Sequence, residues 1–392
     1  MKVAVSSGID PYSDASLRDP YSVYRQLRDL GSGVYLSSID AYFIGRFSDV
    51  RGALADWQTF SSAQGIGLNP VINKAWEEAL ICQDPPVHTE RRKLISDVLS
   101  PMALKPLTET IDARARGLAD RLAEAGEFDG VADFAHDLPI GVVMDLIGWP
   151  EDVRPRLLKL AEGSWNAAGP DNERMRSGLT QLGEMMALIA EIYDNNRVQE
   201  GGFAAQLIGA AHKGLITRET AIGMLAGYIV AAFETTISAM AAGIYLFARN
   251  PDEWDKLRAN PRLVASAANE IVRLESPLQG FSRVCTREVE LSDGTTLPAG
   301  SRVILSYASA NHDERQFNNP EHFVIDRPEK LNLGFGIGPH GCAGQGLARM
   351  ELMAVFSAMA ARMRRIELVG EPERVPNNIA RSFSRIPARS VV

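Results

Sequence analysis

Near the C-terminus, Phe335-Gly336-Ile337-Gly338-Pro339-His340-Gly341-Cys342-Ala343-Gly344 sets one cysteine in a glycine-lined loop leading into an apolar-periodic helix. A thiol must lose its proton before it binds a metal, and backbone N–H groups at a helix start stabilise the anion when glycines let them approach. Cys342 is placed for that. A thiolate axial ligand pushes electron density onto haem iron and favours O–O cleavage, so the chemistry to expect is oxygen activation. Two plainer readings compete. A lone intracellular cysteine is usually a small buried hydrophobe. Gly336, Gly338 and Gly341 also match the G-x-G-x-x-G dinucleotide fingerprint, which needs a hydrophobic strand before it and a βαβ unit around it. Lys330-Leu331-Asn332-Leu333 is a poor buried strand, and only 51 residues follow Gly341.

A second group of residues sits in the most apolar helix. Ala231-Ala232-Phe233-Glu234-Thr235-Thr236 places an acid and two hydroxyls in a run that is otherwise hydrophobic. The threonines could simply back-bond to carbonyls one turn earlier while Glu234 reaches water. A buried carboxyl is costly unless paired, so an acid here also points to proton delivery. Elsewhere, Glu270 and Arg273 lie three apart on one helix face and can pair, as many surface residues do.

These residues need a large, mostly helical frame. Leu107, Ile111, Ala115, Leu118 and Leu122 recur at steps of four and three, ending where Gly126 can cap. The stretch 222–247 is apolar on nearly every side and should run through the core. A helix over 343–365 follows the cysteine, with Leu347, Met350, Met353 and Phe356 inward. Strand signals are few: 41–44, 289–291 and 303–305. At 392 residues with 45% hydrophobic and 23% charged, the chain can bury a substantial core, and no linker divides it. Residues 1–392 are expected to form one domain. Cys82, Cys285 and Cys342 make no disulfide framework, which suits a reducing cytoplasm. The first eight residues carry no apolar stretch of signal or anchor length. A soluble, cytoplasmic, monomeric protein acting away from membranes is the expectation. A net charge of −8 speaks against a nucleic-acid partner.

The cysteine loop resembles the haem-binding loop of the cytochrome P450 family at Phe335, Gly336, Gly338, His340, Cys342 and Gly344. The resemblance extends from Asp19-Pro20-Tyr21 through Arg315-Gln316-Phe317, Pro320, Phe323 and Arg327-Pro328 to the terminal strands. It implies a mainly α fold: a large helical domain with small β-sheets around a buried haem b. It implies Cys342 as axial ligand, and Glu270 with Arg273 in a buried network that serves folding and haem retention. Asp84-Pro85-Pro86-Val87-His88-Thr89-Glu90-Arg91-Arg92 resembles a family segment that gives His88 and Arg92 to the haem propionates. Arg283 and His340 match the remaining propionate contacts. Glu234 and Thr235 take the acid–threonine roles in relaying protons, with glutamate where aspartate is commoner and Ala232 where glycine is usual.

Several stretches resemble the bacterial branch that demethylates para-substituted benzoates: Phe60-Ser61-Ser62, Asn166-Ala167, Gly169-Pro170 and Glu275-Ser276-Pro277. Gln64, Ala226 and Val230 stand where that branch grips the substrate carboxylate, which removes the charge partner and points to a neutral aromatic ether or phenol. Expected lining residues are Trp165, Ala168, Val230, Ala231, Leu278, Phe281 and Phe383. The implied activity inserts one oxygen atom of O2 into a C–H bond, by hydroxylation or O-demethylation. No flavin or iron–sulfur segment is present, so electrons should come from NAD(P)H through a separate ferredoxin and ferredoxin reductase, with Arg91, Arg92 and Arg349 as docking candidates. A peroxide-driven haem enzyme and a non-catalytic haem sensor or carrier are the rivals. Retention of both Glu234 and Thr235 argues against them.

Overall fold

The computed structural model describes residues 2–392, so Met1 lies outside the described residues. The central helix, Arg218–Arg249, is longer than its apolar run because Thr217 caps it, its side chain accepting from the Thr220 amide. Its mean hydropathy of 1.5 over 18 residues would suit a membrane, yet 67% of that window is buried inside the protein. It is a core helix. The helix Thr108–Ala125 stops at Gly126, whose φ of 75° is the left-handed turn expected there. The helix after the cysteine runs Gln345–Arg362, shorter than expected: Gly344 is its N-cap, and the chain leaves at Met363 for the strand Arg365–Leu368. Leu347 and Phe356 are buried as expected, while Met350 and Met353 are only half-buried.

One six-stranded mixed sheet carries part of the site. Its order is Val5–Ser7, Val34–Leu36, Ala41–Ile44, Arg302–Ser306, Gly280–Cys285 and Phe60–Ser61. Arg302–Ser306 runs parallel to Ala41–Ile44, with Val303 opposite Tyr42, and antiparallel to Gly280–Cys285, with Val303 opposite Arg283. Every residue of Gly280–Cys285 is buried. Gly280 has φ 156°, and a Cβ there would lie 2.3 Å from the Leu305 carbonyl oxygen. Only glycine lets those strands approach.

The pair Glu270 and Arg273 is no surface feature. Arg273 is 1% exposed and Glu270 4%. Arg273 Nε and Nη2 donate to Glu270 Oε2 and Oε1 at 2.7 and 2.8 Å, and Arg327 Nε donates to Glu270 Oε1 at 3.0 Å. Arg273 also donates to the carbonyls of Asn311, Pro320 and His322. Asn311 Oδ1 accepts from the Leu333 amide at 2.7 Å, two residues before the cysteine loop begins. The network thus clamps the chain that leads into Phe335.

Candidate functional site

The loop is held by its own backbone. The Cys342 amide donates to the Phe335 carbonyl at 2.8 Å, and Gly336 and Gly338 take φ of 61° and 70°. A Cβ on Gly338 would sit 2.4 Å from the Leu54 carbonyl oxygen, so this turn lies directly against the helix Phe47–Ala55. The Arg349 guanidinium covers the Phe335 ring, 4.3 Å from its centroid. Burial pushes the Cys342 thiol up, and the Gly344 and Gln345 amides with the Arg92 and Arg349 charges only partly offset this. The helix-start amides expected from the sequence are present, but a metal cation must supply the rest of the thiolate's stabilisation.

The four side chains implied by the resemblance do come together. Arg283 is 3% exposed, donates to the Ser282 carbonyl at 2.7 Å, and has no carboxylate partner among the described residues. Arg92 Nη2 donates to the Gly341 carbonyl at 2.6 Å and likewise has no acid. The rings of His88 and His340 lie 4.3 Å apart, each with a buried Nε2 that has no partner. Burial drives the His340 pKa down, reinforced by Arg283, His88 and Arg92. His88 is lowered by burial and by Arg92, with Asp84 opposing. Two arginines without an acid partner, one buried and one half-buried, beside two imidazole nitrogens in need of partners fit a ligand bearing two carboxylates. Among the described residues no three His, Cys, Asp or Glu side chains converge. A lone thiol holds iron when a macrocycle supplies the other ligands, and haem meets both requirements. No residue from Gly334 to Gln345 is fully buried, and Gly344 has open space where a side chain would stand. A flat group has room there.

Across from this loop the central helix presents one open stripe. Gly227 and Ala231 are exposed and Thr235 is half-buried, four residues apart on one face. Burial raises the Tyr228 hydroxyl, with Glu351 and Cys342 adding to the effect, so the helix passes within electrostatic reach of the thiol. Thr235 Oγ1 donates to the Ala231 carbonyl at 2.7 Å, the back-bond that the simpler reading of the threonines anticipates. Glu234 is half-buried, and its carboxyl turns toward protein. Its Oε1 accepts from Asn377 Nδ2 at 3.0 Å, while Oε2 is buried without a partner. Burial, with the Glu162 charge, pushes Glu234 up to about 8 against a smaller opposing effect from the Gly163 amide.

An aromatic wall adjoins. Trp165 meets Trp76 edge-on at 5.9 Å and Phe281 at 5.2 Å. Ala168 and Phe281 are buried, and Leu278 is bridged to Ala380. Two expected lining residues lie off this stripe. Phe383 packs on Tyr245 at 5.2 Å beneath the Arg374 guanidinium, some 15 Å along the helix from Thr235 at about 1.5 Å rise per residue. The C-terminal contribution comes instead from 377–380, which reach Glu234 and Leu278. Val230 is buried as Ala168 and Phe281 are, but lies about 100° round the helix from Ala231, on the face that carries Glu234 four residues on. Gly227 takes its place on the stripe, unsignalled because a lone glycine in a helix carries no chemistry. Gln64 is exposed, and its carbonyl accepts from Arg302. Of the docking candidates, Arg92 turns inward to the Gly341 carbonyl, Arg349 lies on Phe335, and Arg91 pairs with Glu78 at 2.7 Å.

The family model for Cytochrome P450 matches residues 180–387. Cytochrome p450 CYP199A2 of Rhodopseudomonas palustris (strain ATCC BAA-98 / CGA009) is 37% identical over 384 residues, covering 97% of this chain and 93% of that protein. Linalool 8-monooxygenase of Pseudomonas putida is 30% identical over 386 residues, covering 95% and 93%. Among solved structures, P450BioI in complex with an acyl carrier protein ligated to hexadec-9Z-enoic acid superposes with a TM-score of 0.87. That likeness, at 24% identity, covers 96% of this chain and 100% of P450BioI and bears on the fold alone. Members of the family hold haem through a cysteine thiolate and draw electrons from NAD(P)H through redox partners. The chain belongs to the cytochrome P450 family and is a haem-thiolate monooxygenase.

Proposed function

We propose that this monooxygenase inserts oxygen into a C–H bond of a small, neutral, hydrophobic aromatic substrate, by hydroxylation or O-demethylation. A separate ferredoxin and ferredoxin reductase supply its electrons in the cytoplasm, and residues 1–392 act as one domain. The observation that carries the substrate class is the aromatic wall of Trp165, Trp76 and Phe281 beside a helix stripe of Gly227, Ala231 and Thr235 that bears no cation. Planar rings stack on such a wall with centroids about 4.5–7 Å apart. A carboxylate would be desolvated there without a partner.

Cys342 would hold the haem iron through its thiolate in this reading, and the bound haem would supply dioxygen binding and activation. His88, Arg92, Arg283 and His340 hold the propionates, which explains why their charges and ring nitrogens lack protein partners. Phe335, Gly336 and Gly344 shape the proximal loop. Glu234 holds a proton at its carboxyl oxygen, and the Thr235 hydroxyl stands on the neighbouring stripe to pass it toward the substrate. If the attacked bond is a methoxy C–H, the hemiacetal product collapses to a phenol and formaldehyde.

Titrating the ferric protein with matched neutral and carboxylated methoxyaromatics tests the proposal. A low-to-high-spin shift with the neutral member, and product from it in the reconstituted redox chain, supports it; a shift with the carboxylate alone overturns it. Thr235→Ala is expected to retain haem but divert NADH-derived electrons to hydrogen peroxide. Unchanged product per NADH would remove Thr235 from proton delivery. A pH dependence follows from Glu234, which faces Glu162, the Gly163 amide and Asn377. It delivers protons only in its neutral form, which dominates below about 8 and is lost as pH rises through that value. Product per NADH should therefore fall on the alkaline side, while Glu234→Gln should show a low, flat profile.

A further inference from the structure

The strongest unassigned feature is the turn that reaches Glu234 from the C-terminal end of the chain. Asn377 is 3% exposed, and both ends of its amide are committed. Its Oδ1 accepts from the Ile379 and Ala380 amides, each at 2.9 Å. Two backbone donors on one oxygen fix which end of the amide is which, so Nδ2 must face Glu234 Oε1 at 3.0 Å. We propose that Asn377 is a positioning residue for the monooxygenase reaction, selecting the Glu234 oxygen that carries the transferable proton. This inference rests on the reading of Glu234 as the proton donor.

The argument is one of satisfied valences. An oxygen that accepts from Nδ2–H acts as the carbonyl oxygen of the neutral acid. The hydroxyl therefore falls to Oε2, which is buried and has no protein acceptor. Without Asn377 the two oxygens become equivalent, and the carboxyl can rotate its proton away from the stripe. The next residue ties this turn to the loop over the aromatic wall. The Asn378 amide donates to Asn166 Oδ1 at 2.7 Å, and its Nδ2 donates to the Asn166 carbonyl at 3.0 Å and to Asn172 Oδ1 at 3.1 Å. Asn166 neighbours Trp165, and its amide donates to the carbonyl of Gly163, whose own amide lies near Glu234. The acid is thus oriented by the same segments that cover the substrate wall.

Two variants test this in the haem-loaded protein. Asn377→Ala removes the whole amide. Asn377→Asp keeps an oxygen for the Ile379 and Ala380 amides, so the turn stays capped, and replaces the donor to Glu234 Oε1 with an acceptor oxygen. The first readout is the infrared C=O stretch of protonated Glu234, identified as the band lost in Glu234→Gln. In both variants the band should move to higher frequency, because its carbonyl oxygen has lost a donor. Product per NADH should fall, by up to the roughly hundredfold loss that a misplaced reacting group can cause, with peroxide rising to match. A Glu234 band unmoved by both variants overturns the proposal while leaving Glu234 as the donor. Unchanged product per NADH in Glu234→Gln overturns both the donor reading and the proposal built on it.

Discussion

Cys342→Ala yields a folded protein that makes no product and shows no thiolate-type red-shifted Soret band in its reduced carbon monoxide complex. Folding should survive because Cys342 is only half-buried and its amide, not its side chain, holds the loop through the Phe335 carbonyl. Removing one small sulfur from a partly open position leaves little cavity, and the cost falls at the low end of large-to-small substitutions, about 1 kcal/mol. Porphyrin binding should weaken without vanishing, since His88, Arg92, Arg283 and His340 still present unpaired donors to two carboxylates. No substitute ligand stands ready: among the described residues no cluster of His, Cys, Asp or Glu could take over the metal. Spectra of the variant loaded with haem, beside product assays with the reconstituted redox chain, check the expectation. A retained thiolate-type band would move the ligand assignment to Cys82 or Cys285, which lie buried and whose thiols burial pushes up to about 11 and about 12.

The sequence is legible where a residue's chemistry and its conformation point the same way. The cysteine loop combines a thiol with glycines, and two of those glycines do adopt left-handed turns. The long helices show themselves through apolar spacing and end at capping residues such as Gly126. The two arginines and two histidines could be placed only through the family resemblance, because nothing in their spacing brings 88, 92, 283 and 340 together; the sheet register and the loop do that. The strand Gly280–Cys285, which carries Arg283, escapes periodicity because all its residues are buried and no inside–outside alternation remains. Phe383 looks like a wall residue by type, yet the strand Ser382–Arg385 turns it toward Tyr245 and Arg374. Asn377 carries only the weak signal of consecutive asparagines after a proline, the mark of a turn rather than of a site. Its partner lies 143 residues away, a separation that single-chain reading does not bridge.

Arg273→Ala should be the most damaging substitution outside the haem contacts. It leaves Glu270 buried at 4% exposure with only Arg327 Nε and the Val324 amide donating to it. It also strips donors from the carbonyls of Asn311, Pro320 and His322. Breaking one partner out of a buried ion pair costs about 3–5 kcal/mol, and the lower end of that range applies here because Arg327 and the Val324 amide still face Glu270. That is a large share of the roughly 5–15 kcal/mol that holds a typical folded protein together. The damage should also reach the haem: the carbonyl of Asn311 belongs to the residue whose side chain fixes Leu333, so loosening it frees the approach to Phe335 and Cys342. Arg273→Lys should not rescue, since a single ammonium cannot reproduce two donors to Glu270 together with three to backbone carbonyls. The expected outcome is a protein that purifies largely without haem and unfolds at distinctly lower denaturant than the parent. Glu270→Gln should fall between the two, retaining shape while leaving Arg273 and Arg327 as unpaired buried charges. Full haem occupancy and an unchanged unfolding midpoint in Arg273→Ala would mean that the clamp on the cysteine loop lies elsewhere.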